Sequence, residues 1–411
     1  MEHSMAASEE AMQSLAQWID WLPNHHDATL NSRPDVMVLA ARYGDGHLRA
    51  AKAIGLALLL HNPAIKLGIL DYYKFVNPRL DNMIRWVYLT SVRFAPDLWR
   101  WFYTATQRID PESGTQKFLN SIGLEQFYRA ISPKPPKVII STYPTAAGVV
   151  STLKKQGRLD VANYVVMTDY SIHSQWIHPA VDKYFVGGQD MLEALAARGI
   201  SREKVVVSGI PVDSRFREPV DAVRVRQQLG IGEEPVILFM GGSYMPLPEF
   251  SHVLSQIDRV TAPHVTVVVA GREENRKKLA LQYQRDSKHP MVVLGYVNNV
   301  HELMGISSLL ISKAGGLTTT EALCRGVPML IYRPIPGQED ANAGYLVKHG
   351  AGILAKDQDD VSQMVEHLLT HPDDLRKMAD RARELGHPDA ADIVAEHTYQ
   401  ALLGREAHGR S

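Results

Sequence analysis

Hydrophobic residues fall along this chain in two alternating patterns. Short unbroken apolar runs, beginning with Val36-Met37-Val38-Leu39, give way to glycine turns. Longer stretches with helical apolar spacing follow, as in His47 to Leu60. Unbroken runs read as strands buried on both faces, and the amphipathic stretches as the helices that cover them. Further strands are predicted at Lys66 to Leu70, Lys137 to Ser141, Tyr164 to Met167, Lys183 to Val186 and Val205 to Val207. Ser208-Gly209-Ile210-Pro211 interrupts the series. A second one then starts, with strands at Val236 to Phe239, Val265 to Ala270, Val292 to Leu294, Leu309 to Ile311 and Met329 to Tyr332. Two such series in succession predict an α/β protein of two facing, doubly wound, Rossmann-like domains. The expected bounds are 34–212 and 213–385. Residues 386–411 form a C-terminal helix returning to the first domain, and 1–33 an N-terminal extension. Within the extension, Met12, Leu15, Trp18, Ile19 and Leu22 share one side of a helical stretch, which suits packing on the body or a membrane surface.

Composition narrows the class. Of 411 residues, 45% are hydrophobic and 22% charged, enough to build real cores. The formal net charge of -1 gives no global field for nucleic acid. A single cysteine, Cys324, excludes an internal disulfide and a cysteine-rich zinc site. No apolar run approaches the roughly 20 residues of a membrane helix. The start, Met1-Glu2-His3-Ser4 with Glu9 and Glu10, lacks the basic residues and apolar core expected of a secretory signal. These features fit a cytoplasmic protein.

The chemistry is expected where strands end. Gly44-Asp45-Gly46-His47 follows the first strand and opens a helix. Its glycines let backbone approach a ligand, and His47 brings a group that titrates near neutrality. Asp169, in Thr168-Asp169-Tyr170-Ser171-Ile172-His173-Ser174-Gln175-Trp176-Ile177-His178, is a second candidate for taking or orienting a proton. In the second series, Lys313-Ala314-Gly315-Gly316-Leu317-Thr318 runs from strand into helix and suits a diphosphate. Glu321 follows, able to accept two hydrogen bonds from a ribose diol. Pro336-Gly337-Gln338-Glu339 with Asn342 forms the next strand-end loop, with amide and acid groups for sugar hydroxyls. Gly241-Gly242-Ser243, after the first strand of this series, reads either as a further phosphate contact or as a bare glycine turn.

Two other features stand apart. Asp357-Gln358-Asp359 matches a D-x-D metal pattern but precedes a helical stretch, where acids favour the dipole, so it reads as a cap. Tyr72 to Arg108 interleaves many aromatics with basic residues. That composition suits an anionic membrane interface, with Arg85, Arg93, Trp99, Arg100 and Trp101 as the contacts, rather than nucleic acid.

Taken in order, these motifs resemble those of the diacylglycerol glycosyltransferases: the bacterial processive diacylglycerol glucosyltransferases and the plant monogalactosyldiacylglycerol synthases. The carrying segments are Ala41-Arg42-Tyr43-Gly44-Asp45-Gly46-His47, Val166-Met167-Thr168-Asp169 with His173, Trp176 and His178, Val181-Asp182-Lys183-Tyr184, Gly209-Ile210-Pro211, Leu294-Gly295-Tyr296-Val297, Gly315-Gly316-Leu317-Thr318 with Glu321-Ala322, and Pro336-Gly337-Gln338-Glu339 with Asn342. The resemblance implies a GT-B fold with acceptor in the N-terminal domain and UDP-sugar in the C-terminal one. It implies inverting transfer of glucose or galactose to diacylglycerol or a glycosyl-diacylglycerol, at the inner face of the cell membrane. With Asp357 and Asp359 read as a cap, no metal cofactor is expected. His47 matches the family's acceptor-side histidine and Asp169 the acid of its second N-domain motif; both are catalytic candidates, with the choice of base open. Gly44, Gly46, His173 and Trp176 fall on the acceptor side. Gly242, Ser243, Gly315, Gly316, Thr318, Glu321, Pro336, Gly337, Gln338, Glu339 and Asn342 fall on the donor side. The alternatives are a UDP-sugar epimerase of the same architecture and transfer to a polyprenyl-linked acceptor. One departure is the pair Pro246 and Pro248, where relatives tend to be glycine-rich.

Overall fold

The computed structural model describes residues 33–42, 45–79, 83, 86–87, 90–91, 96–107, 109–110, 113–242, 245–356 and 360–408. The extension helix, Gly44, Ser243, Arg85, Arg93 and the Asp357-Gln358-Asp359 cap lie outside them. Two compact units emerge: residues 1–214 with 388–411, and residues 215–387.

The first unit is built on a six-stranded parallel sheet in the order β2-β1-β3-β4-β5-β6. Its strands are β1 (Val36–Ala40), β2 (Leu67–Asp71), β3 (Val138–Ser141), β4 (Ala162–Val166), β5 (Lys183–Val186) and β6 (Val205–Val207). Every residue of β1 to β4 is buried, which is why these segments carry no polar alternation. Val36, Val38 and Ala40 of β1 turn to one core, and Met37 and Leu39 to the other. The final helix, Ala390–His408, packs on helix Asp45–His61 and sends Val394 and Ala395 into the first of these cores.

The second unit repeats the plan with the order β12-β11-β10-β7-β8-β9, all parallel. The strands are β7 (Val236–Met240), β8 (Val265–Val269), β9 (Met291–Leu294), β10 (Leu309–Ser312), β11 (Met329–Tyr332) and β12 (Gly352–Ala355). Ile237 and Phe239 of β7 and Leu309 and Ile311 of β10 meet Phe250, Val253 and Leu254 of helix Leu247–Ile257 in one core.

The aromatic stretch divides in two. Tyr72 and Tyr73 are 0% and 4% exposed and pack against Phe127 and Tyr143, so they are core residues rather than surface contacts. In helix Pro96–Thr106, Leu98 and Trp101 stand 61% and 68% exposed. Tyr103 and Thr106 of the same helix instead meet His173, with ring centroids 4.9 Å apart and an Oγ1–Nε2 distance of 3.2 Å. Among the described residues no helix is long and apolar enough to cross a membrane.

Candidate active site

In each sheet the strand order reverses direction at one point: between β1 and β3 in the first unit, and between β7 and β10 in the second. Beyond the carboxyl ends of strands flanking such a point, diverging loops leave a crevice. The candidate residues of each unit gather around its own crevice.

In the first unit, helix Asp45–His61 leaves β1 and places His47 in its first turn. Thr142 follows β3 directly. Its hydroxyl lies 3.2 Å from the Leu39 carbonyl and 3.0 Å from that of His47, holding the start of the helix to the end of β1. Its own carbonyl lies 2.7 Å from His47 Nδ1, and Thr168 Oγ1 is 2.9 Å from the same nitrogen. A carbonyl only accepts, so Nδ1 carries the proton and Nε2 presents its lone pair. Among the described residues nothing hydrogen-bonds Nε2. The ring is braced edge-on by Tyr143 at 5.2 Å, with Trp176 at 6.5 Å. Burial lowers the His47 pKa to about 4, against the raising effect of the Thr142 bond. The imidazole is therefore neutral at physiological pH.

Asp169 follows Thr168 and is half-buried, and its charge helps raise the Tyr103 pKa behind the larger effect of burial. The structure places His173 and Trp176 in the interior, at 8% and 4% exposure. His173 accepts from the Gln175 N–H through Nδ1, and Ser174 Oγ donates to the Thr106 carbonyl. His178 is buried as well, its Nε2 donating to the Pro144 carbonyl at 3.1 Å. Burial lowers both imidazoles to about 4. These side chains shape the loop that carries Asp169. Gly46 sits in the first turn of the His47 helix.

In the second unit, helix Gly316–Arg325 follows β10. Gly315 is its N-cap and supplies no side-chain cap, so the first N–H groups stay available to an anion. Gly316 and Thr318 belong to that first turn, whereas Glu321 lies deeper and is 1% exposed. A diol that binds this carboxylate has to become buried with it. After β11, Pro336 and Gly337 turn the chain, Gly337 with φ +98°, into helix Gln338–Lys348. Glu339 Oε2 accepts from the Ile335 N–H at 2.6 Å, while a Cβ on Gly315 would lie 3.6 Å from Oε1. Asn342, fully buried, donates to the Ala314 carbonyl at 2.9 Å and joins the two loops. Gln338 opens the helix beside them.

Gly242 follows β7 with φ +60°. Arg276, which no sequence motif marks, grips this loop: its guanidinium donates to the carbonyls of Gly242 at 2.7 Å and Met245 at 2.5 Å. Desolvation lowers its pKa. Thr142 is likewise unmarked in the sequence. Both act through backbone carbonyls, and neither carries a motif. Among the described residues, no cluster of three or more His, Cys, Asp or Glu is arranged to hold a metal ion.

Two parallel, doubly wound units with strand-end sites form the GT-B architecture. Residues 47–212 match the family model for monogalactosyldiacylglycerol (MGDG) synthase, and residues 236–394 that for the glycosyltransferase family 28 C-terminal domain. A processive diacylglycerol beta-glucosyltransferase of Bacillus cereus (strain ATCC 10987 / NRS 248) is 30% identical over 366 residues, spanning 88% of this chain and 92% of the relative. The chain belongs to this family of glycosyltransferases and is a UDP-sugar-dependent hexosyltransferase. Solved structures share the fold. MurG of Acinetobacter baumannii superposes with a TM-score of 0.60 at 16% identity, covering 89% of this chain and 99% of that one. A UDP-GlcNAc 2-epimerase of Neisseria meningitidis bound to UDP-GlcNAc gives 0.52 at 14%, covering 89% and 99%.

Proposed function

We propose that this protein transfers glucose or galactose from a UDP-sugar to diacylglycerol or a glycosyl-diacylglycerol, with inversion and without a metal. The observation that carries the mechanism is the fixed tautomer of His47. With Nδ1–H given to Thr142, Nε2 can take the proton of the acceptor hydroxyl as that oxygen attacks the anomeric carbon. The carbon–oxygen bond to the diphosphate breaks in the same displacement, and UDP leaves with the electron pair. The uncapped helix start at Gly315 and Gly316 meets the developing charge. Glu321 binds the ribose, and Gln338 and Glu339 the sugar. Asp169 orients the acceptor.

The test supplies UDP-glucose and UDP-galactose in turn, with vesicles that contain or lack diacylglycerol. UDP release should require diacylglycerol and continue in excess EDTA. Conversion of UDP-N-acetylglucosamine without any lipid would instead indicate an epimerase. Activity lost with EDTA and restored by magnesium would contradict a metal-free reaction.

Diacylglycerol is nearly insoluble, so the enzyme has to meet it at a bilayer. Helix Pro96–Thr106 suits that contact: Leu98 and Trp101 face solvent, Arg100 is exposed beside them, and Tyr103 and Thr106 anchor it to the loop of Asp169. Each basic side chain at an anionic surface is worth about 1 kcal/mol, and salt screens it. The protein should sediment with anionic vesicles at low salt and partly release at high salt. Leu98→Glu with Trp101→Glu should reduce vesicle binding and leave UDP affinity intact. Unchanged sedimentation would remove this helix from the membrane contact.

A further inference from the structure

We propose that Lys313 and Arg333 carry the diphosphate of the donor, and that Glu249 holds the two cations until the donor arrives. The inference rests on the donor reading of the second unit. Lys313 follows β10 and Arg333 follows β11, two adjacent strands of the sheet. Glu249 lies in the first turn of helix Leu247–Ile257, which leaves β7 on the other side of the reversal point. One carboxylate thus spans the crevice: Oε2 is 3.6 Å from Lys313 Nζ, and Oε1 is 3.5 Å from an Arg333 guanidinium nitrogen.

These distances exceed the roughly 2.7–2.9 Å of a committed charge-assisted hydrogen bond. Oε2 is buried and accepts no hydrogen bond among the described residues, so the long ion pair to Lys313 offsets its desolvation only in part. Two cations share one anion, so the cluster keeps a net positive charge. Arg333 has φ +45°, the sole positive φ of a non-glycine among the described residues. Strain of this kind gathers at functional sites. Its side chain is 47% exposed, so the guanidinium can leave Glu249 for a ligand without first being uncovered.

Chemistry requires more than the helix start provides. A helix N-terminus offers only about half an elementary charge. When the bond between the anomeric carbon and the diphosphate breaks, its electron pair remains on a phosphate oxygen. Lys313 and Arg333 then supply whole charges next to the Gly315 and Gly337 loops. Glu249 takes the cations back when UDP departs, which favours product release.

Calorimetric titration with UDP and with uridine tests the assignment. Lys313→Met and Arg333→Gln should each weaken UDP about tenfold and leave uridine unchanged. Arg333→Lys should retain most of the affinity. Glu249→Gln should tighten UDP several-fold, because it removes the competing anion, with uridine again unchanged. An unaltered ratio of UDP to uridine affinity in the Lys313 and Arg333 variants would overturn the proposal. So would a Glu249→Gln protein that weakens UDP, as loss of a purely structural ion pair does. If the parent protein binds neither UDP nor uridine, the donor reading itself fails.

Discussion

Replacing His47 with Ala is expected to lower turnover by about 10²–10⁴-fold, the usual contribution of positioned proton transfer, while UDP affinity stays close to that of the parent. The residue belongs to the first unit, whereas the donor loops belong to the second, so its loss should spare nucleotide binding. The pH profile follows from the same geometry. Burial disfavours the protonated ring and brings the pKa to about 4. The base is thus in its working form at every pH well above that value. The acid limb of kcat/KM should fall near pH 4 rather than near the ordinary histidine value of about 6.5. Such a base has a smaller driving force for accepting a proton, so transfer is expected to accompany departure of UDP rather than precede it. Normal turnover in His47→Ala, together with its loss in Asp169→Asn, would move the role of base to Asp169.

Glu321→Ala is expected to weaken UDP and UDP-sugar together, by about 10- to 100-fold, because the ribose is common to both ligands. That range corresponds to hydrogen bonds made to a charged group, about 1.5–3 kcal/mol. The carboxylate is already buried, so little water competes with a ribose for it. Glu321→Gln keeps shape and one acceptor and should lose less. Titration of each variant with UDP, alongside thermal unfolding, separates a lost ligand contact from a loosened helix. UDP binding unchanged in a folded Glu321→Ala protein would remove this residue from the donor site.

Much of this architecture is legible in the chain. The unbroken apolar runs at Val36, Lys137, Val236, Leu309 and Met329 mark strands because a sheet covered on both faces buries every side chain. Helices reveal themselves by period, and strand-end loops by their glycines. The order in which strands pair is another matter. It decides that Thr142 lies beside His47, or that Glu249 spans β10 and β11, and no local pattern encodes it. Lys313 lay within a recognised motif, but its partner is distant in sequence, and Arg333 follows a strand with no motif at all. Arg276 was invisible for a similar reason: its targets are carbonyls, which every residue possesses. Burial also separates residues that composition joins. Tyr72 and Tyr73 share the aromatic–basic stretch with Trp101, yet the pair lies in the core and Trp101 in solvent. His173 and Trp176 belong to a loop that reads as polar, but packing against Tyr103 and His47 draws them inside.

Displacement of UDP from the sugar in one step by an activated lipid hydroxyl inverts the anomeric carbon. The most direct measurement is the structure of the lipid formed from a labelled UDP-hexose and diacylglycerol vesicles, including the configuration at the sugar's anomeric carbon. The expected product is a hexosyl-diacylglycerol whose anomeric configuration is opposite to that of the donor. A lipid product with the donor's configuration retained, or a modified sugar nucleotide with no glycolipid, would contradict it.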